Sequence, residues 1–136
     1  MKLATTVTWL LATGMGFYLL IVWLADGGLR RQATKVTRFP ALLTLVHPLL
    51  ALGGLGFWTA YLLTSRRVYV WTSLAILVVT ALLGFTMLTR WLLGRGRHAR
   101  GAGRRFPVLA VFLHGLVGVA TFVLVLLTAA TGAGGA

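Results

Sequence analysis

Residues 107–130 read PVLAVFLHGLVGVATFVLVLLTAA, a run that contains no Asp, Glu, Lys or Arg. A helix needs about 20 apolar residues to cross about 30 Å of hydrocarbon, so this run is long enough to span a membrane. Such runs are too long and too uniformly apolar for barrel strands, which alternate over about 10 residues. The sequence therefore predicts four transmembrane helices, from this run and from three others of similar length: 3–25, 41–64 and 68–93.

The composition agrees with a membrane protein. The chain has 136 residues, of which 59% are hydrophobic and only 10% charged, and its mean hydropathy is +0.94. A soluble domain carries about 25% charged residues, so a water-soluble globule is excluded, and so is a disordered chain. Because there is no cysteine, disulfides, iron–sulfur clusters and thiolate metal sites are excluded as well. We expect one all-α domain, residues 1–136, folded as an integral membrane four-helix bundle.

The distribution of charge predicts the topology. Lys and Arg number 13 against one acidic residue, a net charge of +12. The segments 26–40 and 90–105 together hold ten of these cations, whereas Lys2, Arg66 and Arg67 are the other three. Positive charge stays on the cytoplasmic side, so loops 26–40 and 94–106 are expected in the cytoplasm and both termini outside. The chain then runs up-down-up-down through a membrane of the bacterial cytoplasmic type.

These cations are topology signals and not a nucleic-acid site, because no pattern for stacking on bases or reading them accompanies them. Anionic lipid headgroups are the electrostatic partner that such loops favour.

The two halves of the sequence resemble each other. Arg-Phe-Pro stands at 38–40 and at 105–107, and a histidine follows each proline after seven residues, with an offset of 67. Gly-Phe and Trp-Leu pairs also recur at an offset of 68, at 16–17 with 84–85 and at 23–24 with 91–92. The sequence therefore predicts two tandem helical-hairpin repeats, about 3–64 and 68–130.

His47 and His114 are the most informative residues. Each lies seven residues into its helix, about 10 Å from the helix start at about 1.5 Å per residue. Helices 2 and 4 begin on the same side of the membrane, so the two imidazoles are expected at a similar depth. An ionisable group inside a bilayer is costly and therefore indicates a functional site.

Two neutral imidazoles that face each other in an apolar bundle are suited to axial ligation of a haem iron. In an up-down-up-down bundle helices 2 and 4 are diagonal, which leaves more room than the 8–10 Å between helices in direct contact. A small residue one turn after each histidine lets a flat ring approach, and an arginine nine residues before each can pair with a haem propionate. The predicted cofactor-binding residues are His47, His114, Ala51, Gly118, Arg38 and Arg105, with the two histidines as metal ligands.

Two other interpretations stay open at this point. Small residues are the ordinary interface of membrane helices, and a buried histidine can simply hydrogen-bond Thr44, Thr121 or a backbone carbonyl. A single structural histidine copied by duplication would give the same pair. A site for a quinone or another small ligand that uses the histidines is the third interpretation.

Two segments carry a resemblance to a known family. His47-Pro48-Leu49-Leu50, followed by a Gly-rich apolar helix, resembles the His-Pro-rich helix of the cytochrome b561-like membrane proteins. His114-Gly115-Leu116 with Ala120-Thr121 is similar to a later helix of that group. The resemblance implies haem b as cofactor and His47 and His114 as its ligands. That family uses four histidines for two haems, and this chain has one buried pair, so the resemblance implies one haem.

Two function classes follow. The first is an electron-transfer module that holds one haem and passes single electrons between a redox membrane complex and a quinone. The second is a non-catalytic accessory or scaffold subunit of a larger membrane complex; a homo-oligomer is compatible with both. Asp26 is the sole acidic residue, so carboxylate proton relays, Mg²⁺ or Ca²⁺ sites and acid–base pairs are excluded. The sequence favours a carrier or an accessory subunit over an enzyme acting by itself.

Overall fold

The computed structural model describes residues 1–29, 41–93 and 107–131. Within these ranges the chain is all-α and forms four helices: α1 Lys2–Ala25, α2 Ala41–Thr64, α3 Arg67–Leu93 and α4 Val108–Thr131. By length and composition, each is able to cross a membrane. The four predicted spans are confirmed to within about a residue at each end, and the chain is an integral membrane protein.

The helices follow one another around the bundle in chain order. α2 packs most extensively on α3 and α1 on α4, and the less extensive contacts α3/α4 and α1/α2 complete the ring. The pairs α1/α3 and α2/α4 have no Cα atoms within 8 Å of each other, so they are the diagonals. The start of α1 meets the end of α2, where the Lys2 Nζ lies 4.9 Å from the centroid of the Tyr61 ring. This is the predicted four-helix bundle.

Seven threonine hydroxyl groups outside the core are satisfied within their own helices. Each of these threonines donates its hydroxyl hydrogen to the carbonyl four residues earlier in the same helix. The hydroxyl therefore needs no hydrogen-bond partner in the surrounding lipid, which provides none. The exposed threonines of this kind are Thr6, Thr59, Thr64, Thr72, Thr86, Thr89 and Thr131.

An aromatic core fills the half of the bundle where α1 begins and α4 ends. Trp9 is 2% exposed and Trp58 is fully buried, and their ring centroids are 6.4 Å apart. Both indole N–H groups have acceptors: Trp9 Nε1 donates to the Ala51 carbonyl at 3.3 Å and Trp58 Nε1 to Thr6 Oγ1 at 3.0 Å. The core therefore joins α1 to α2 by packing and by hydrogen bonds.

Gly54 on α2 lies against this core. A Cβ atom there would be 3.0 Å from Cζ2 of Trp9 and 3.4 Å from Cγ2 of Ile76. The indole is buried and hydrogen-bonded, so it has little freedom to move. Gly54 is therefore required for the close approach of α2 to α1.

We expect Gly54→Ala to lower the stability of the bundle by about 1–3 kcal/mol, the usual cost of overpacking a core. Gly53→Ala is the matched control, because a Cβ at that neighbouring position meets nothing within 4 Å and should stabilise the helix by at most about 1 kcal/mol. Thermal unfolding in detergent micelles measures both variants. Equal effects of the two substitutions would contradict the packing explanation.

Candidate functional site: a facing histidine pair

The structure brings the two predicted histidines together. His47 on α2 and His114 on α4 extend from the diagonal helices toward each other, and their ring centroids are 6.1 Å apart. The angle between the ring planes is 72°. The two imidazoles thus lie on opposite sides of the space between α2 and α4, with their planes nearly perpendicular.

Each imidazole is hydrogen-bonded to the backbone of a neighbouring helix. His47 Nδ1 lies 3.0 Å from the carbonyl oxygen of Thr80 on α3, and His114 Nδ1 lies 3.0 Å from that of Ala12 on α1. A carbonyl oxygen only accepts, so Nδ1 carries the hydrogen in both rings and donates it. In the neutral ring Nε2 then holds a lone pair. The site therefore contains two basic nitrogen atoms with the same tautomer.

The two hydrogen bonds are counterparts in the predicted repeat, because Thr80 follows Ala12 by 68 residues. A backbone carbonyl has two lone pairs and can accept the imidazole proton while it keeps its helical hydrogen bond. The Thr121 hydroxyl, one of the partners considered from the sequence, instead donates to the Val117 carbonyl.

Two glycines contact the imidazole rings, and the sequence interpretation did not include them in the site. A Cβ on Gly16 of α1 would lie 3.1 Å from Cε1 of His114, and a Cβ on Gly84 of α3 would lie 3.1 Å from Cε1 of His47. The signal that marks them in the sequence is the Gly-Phe pair that recurs at an offset of 68.

The histidine pair lies in a large apolar cavity of about 840 Å³. All four helices contribute to its lining, and the predicted residues Ala51 and Gly118 are part of it. Its volume is within the range of about 300–1,000 Å³ that is typical of small-molecule and cofactor sites. The histidine pair therefore lies in a cavity whose volume and apolar lining are typical of a small-molecule site.

The cavity is lined by two tryptophans at one end and by exposed apolar side chains at one side. Trp23 and Trp91, both buried, lie at the end that adjoins the 26–40 and 94–106 segments. Toward the contact between α3 and α4, several apolar lining residues are more than half exposed: Leu82, Phe85, Phe112 and Leu116. The open side therefore faces the lipid.

Few polar atoms of the cavity lining are available to a ligand. The hydroxyls of Thr80 and Thr121 donate to carbonyls of their own helices. Thr13 also lines the cavity, and its buried Oγ1 has no hydrogen-bond partner among the described residues. The imidazole Nε2 atoms and the Thr13 hydroxyl are therefore among the polar groups that the cavity offers a ligand.

The spacing of the two imidazoles is compatible with a metal centre that lies between them. Among the described residues no group of three or more His, Cys, Asp or Glu side chains could hold a metal ion. A metal between the two imidazoles must therefore bring its other ligands with it, as the iron of a porphyrin does. Two imidazoles bound to one metal, each at about 2 Å, have ring centroids about 6 Å apart, which agrees with the observed 6.1 Å.

The two predicted arginine ligands of the propionates, Arg38 and Arg105, lie outside the described residues. Their contacts therefore stay predictions. The other four predicted site residues, His47, His114, Ala51 and Gly118, all line the one cavity.

No protein-family model, no curated protein and no solved structure matches this chain. The resemblance of α2 and α4 to the cytochrome b561-like proteins stays an expectation based on their residues. The geometry of the histidine pair is therefore the main evidence for a function.

Proposed function

We propose that this chain is a small membrane electron carrier that holds one haem b between His47 and His114. One observation supports this most strongly: the imidazoles face each other at 6.1 Å from diagonal helices, and both donate through Nδ1 to a backbone carbonyl. Nε2 of each ring is then free to bind iron. When bound, the haem supplies a one-electron redox couple within the membrane.

The hydrogen bonds favour a ligand between the histidines over a purely structural role. In the neutral rings neither Nε2 has a hydrogen to give to the other. Two neutral histidines that hydrogen-bonded each other would set a donor against an acceptor. Two acceptors on facing rings instead suit an electrophile that both can bind, such as a metal centre.

The remaining residues of the site orient and isolate the ligands. The carbonyls of Thr80 and Ala12 fix the tautomer and the direction of each ring, as outer partners of metal-bound histidines usually do. The apolar walls limit the access of water, and the two tryptophans line one end of the cavity. The Arg38 and Arg105 guanidinium groups are proposed to pair with the propionates at the cytoplasmic interface.

The open side of the cavity supports a partner that diffuses in the membrane. Exposed apolar side chains on α3 and α4 border that opening, so a quinone dissolved in the lipid can reach the wall of the site without crossing water. A larger redox complex is the proposed second partner, and anionic lipids are proposed to hold the basic loops. The proposed location is a bacterial-type cytoplasmic membrane with both termini outside.

An absorption spectrum tests the proposal. The protein purified in mild detergent from haem-replete cells is expected to contain one haem per chain and to show Soret and alpha bands in the reduced-minus-oxidised spectrum. Full reduction by one electron per haem should accompany these bands. A folded preparation from such cells that shows no haem absorbance would overturn the proposal. The accessory or scaffold role would then be the remaining proposal for the function of the chain.

A further inference from the structure

Each imidazole makes two contacts with one turn of its neighbouring helix. His114 donates to the Ala12 carbonyl and lies over Gly16, four residues later, where a Cβ would be 3.1 Å from Cε1, 3.6 Å from Nδ1 and 3.9 Å from Nε2. His47 makes the same two contacts with Thr80 and Gly84, again four residues apart.

The spacing of four residues explains why glycine is needed. In an α-helix the carbonyl of residue i accepts the N–H of residue i+4, so an imidazole bound to that carbonyl lies against the backbone of residue i+4. A side chain on residue i+4 projects back toward the preceding turn and would occupy the position of the ring. Residue i+4 is Gly16 for His114 and Gly84 for His47.

Other glycines in the described helices have no such contact. A Cβ placed on Gly14, Gly53, Gly56, Gly115 or Gly118 meets nothing within 4 Å. A Cβ on Gly54 meets Trp9 and Ile76 but no histidine within 4 Å. The contact with an imidazole is therefore specific to the two glycines that lie one turn after the accepting carbonyls.

We propose that Gly16 and Gly84 are positioning residues for the haem ligands, and that together they set the nearly perpendicular arrangement of the two imidazole planes. This inference rests on the proposed haem function. The carbonyl holds the Nδ1 end of each ring by a hydrogen bond. Because glycine has no side chain, the Cε1 atom of the ring can pack directly against the helix backbone. With both ends fixed, the ring cannot rotate about its bond to the iron.

Ligand geometry is one of the means by which a protein tunes a haem. Nearly perpendicular imidazole planes leave two iron d orbitals close in energy, and the low-spin ferric EPR signal then has an unusually large highest g value. Parallel planes give a smaller highest g value and a rhombic signal. The wild-type protein, with its 72° angle, is expected to give the first kind of signal.

The test compares the ferric EPR spectra of the wild type, Gly16→Ala and Gly84→Ala. Each variant is expected to lower the highest g value or to convert part of the haem to a high-spin form, because the added methyl group turns the ring. Gly14→Ala on α1 and Gly53→Ala on α2 are the controls and should keep the wild-type spectrum, since both positions have open space.

The outcomes separate this inference from the proposed function. Haem bands in the wild type, with unchanged EPR spectra in Gly16→Ala and Gly84→Ala, would overturn the positioning role and leave the haem proposal intact. A wild type without haem would overturn both. If the glycine variants do not fold, the wild-type spectrum decides: a rhombic signal typical of parallel planes contradicts the inference, and a large highest g value supports it.

Discussion

His47→Ala and His114→Ala are each expected to abolish the haem spectrum completely. Each substitution removes one of the two proposed axial nitrogens, and the described residues provide no other histidine, cysteine or carboxylate near the cavity to replace it. Visible spectra and haem content per chain of the purified variants measure the effect. His98→Ala, in the segment between α3 and α4, is the matched control and should keep the full spectrum.

Small-molecule rescue distinguishes lost ligation from lost folding. Alanine leaves a space the size of an imidazole in the cavity wall, and added imidazole can fill it and bind the iron. Recovery of the low-spin bands in His47→Ala or His114→Ala on addition of imidazole and haem is the expected result. If both variants keep the wild-type bands without imidazole, the two histidines are not the ligands and the proposed site is wrong.

Trp58→Ala is expected to cause the largest loss of stability, about 3–5 kcal/mol, which is the usual effect of truncating a buried aromatic side chain. The Trp58 ring is fully buried, contacts Trp9 and Tyr61 and donates to Thr6 Oγ1. Its loss leaves a cavity in the aromatic core and removes the hydrogen bond that joins α2 to Thr6 on α1. Equilibrium unfolding in mixed detergent micelles measures the change.

Trp71→Ala is the control for Trp58→Ala, because Trp71 is 46% exposed on the outside of α3. It should change the free energy of unfolding much less. A comparable loss in both variants would mean that the aromatic core does not dominate the stability of the bundle. The haem spectrum of folded Trp58→Ala should stay close to wild type, since Trp58 does not line the cavity.

Hydropathy was sufficient to predict the four helices. Apolar runs long enough to span the bilayer end at charged residues, prolines or glycines, and α1 to α4 begin and end at nearly the same positions. The positions of the two histidines in the sequence were also sufficient to predict that they face each other. His47 and His114 lie at the same depth in two helices that an up-down-up-down order makes diagonal, and the structure has them 6.1 Å apart.

The interior of the bundle was much harder to predict. In a soluble protein the buried face of a helix is apolar and the other face polar, but lipid makes both faces of these helices apolar. Trp58 and Trp71 therefore look equivalent in the sequence, although one is fully buried and the other 46% exposed. The hydrogen bonds to the carbonyls of Thr80 and Ala12 could not be predicted either, because every residue has a backbone carbonyl and the sequence does not indicate which one accepts.

The hydrogen bonds of the two histidines cross between the predicted repeats. His47, in the first repeat, donates to Thr80 in the second, whereas His114, in the second, donates to Ala12 in the first. A lone hairpin would therefore contain an imidazole without its acceptor. During membrane insertion the pair is completed only when α4, the last of the four described helices to emerge, reaches α1. Loading of the proposed haem should accordingly follow the insertion of α4, and haem absorbance in a preparation would then report chains in which all four described helices have assembled.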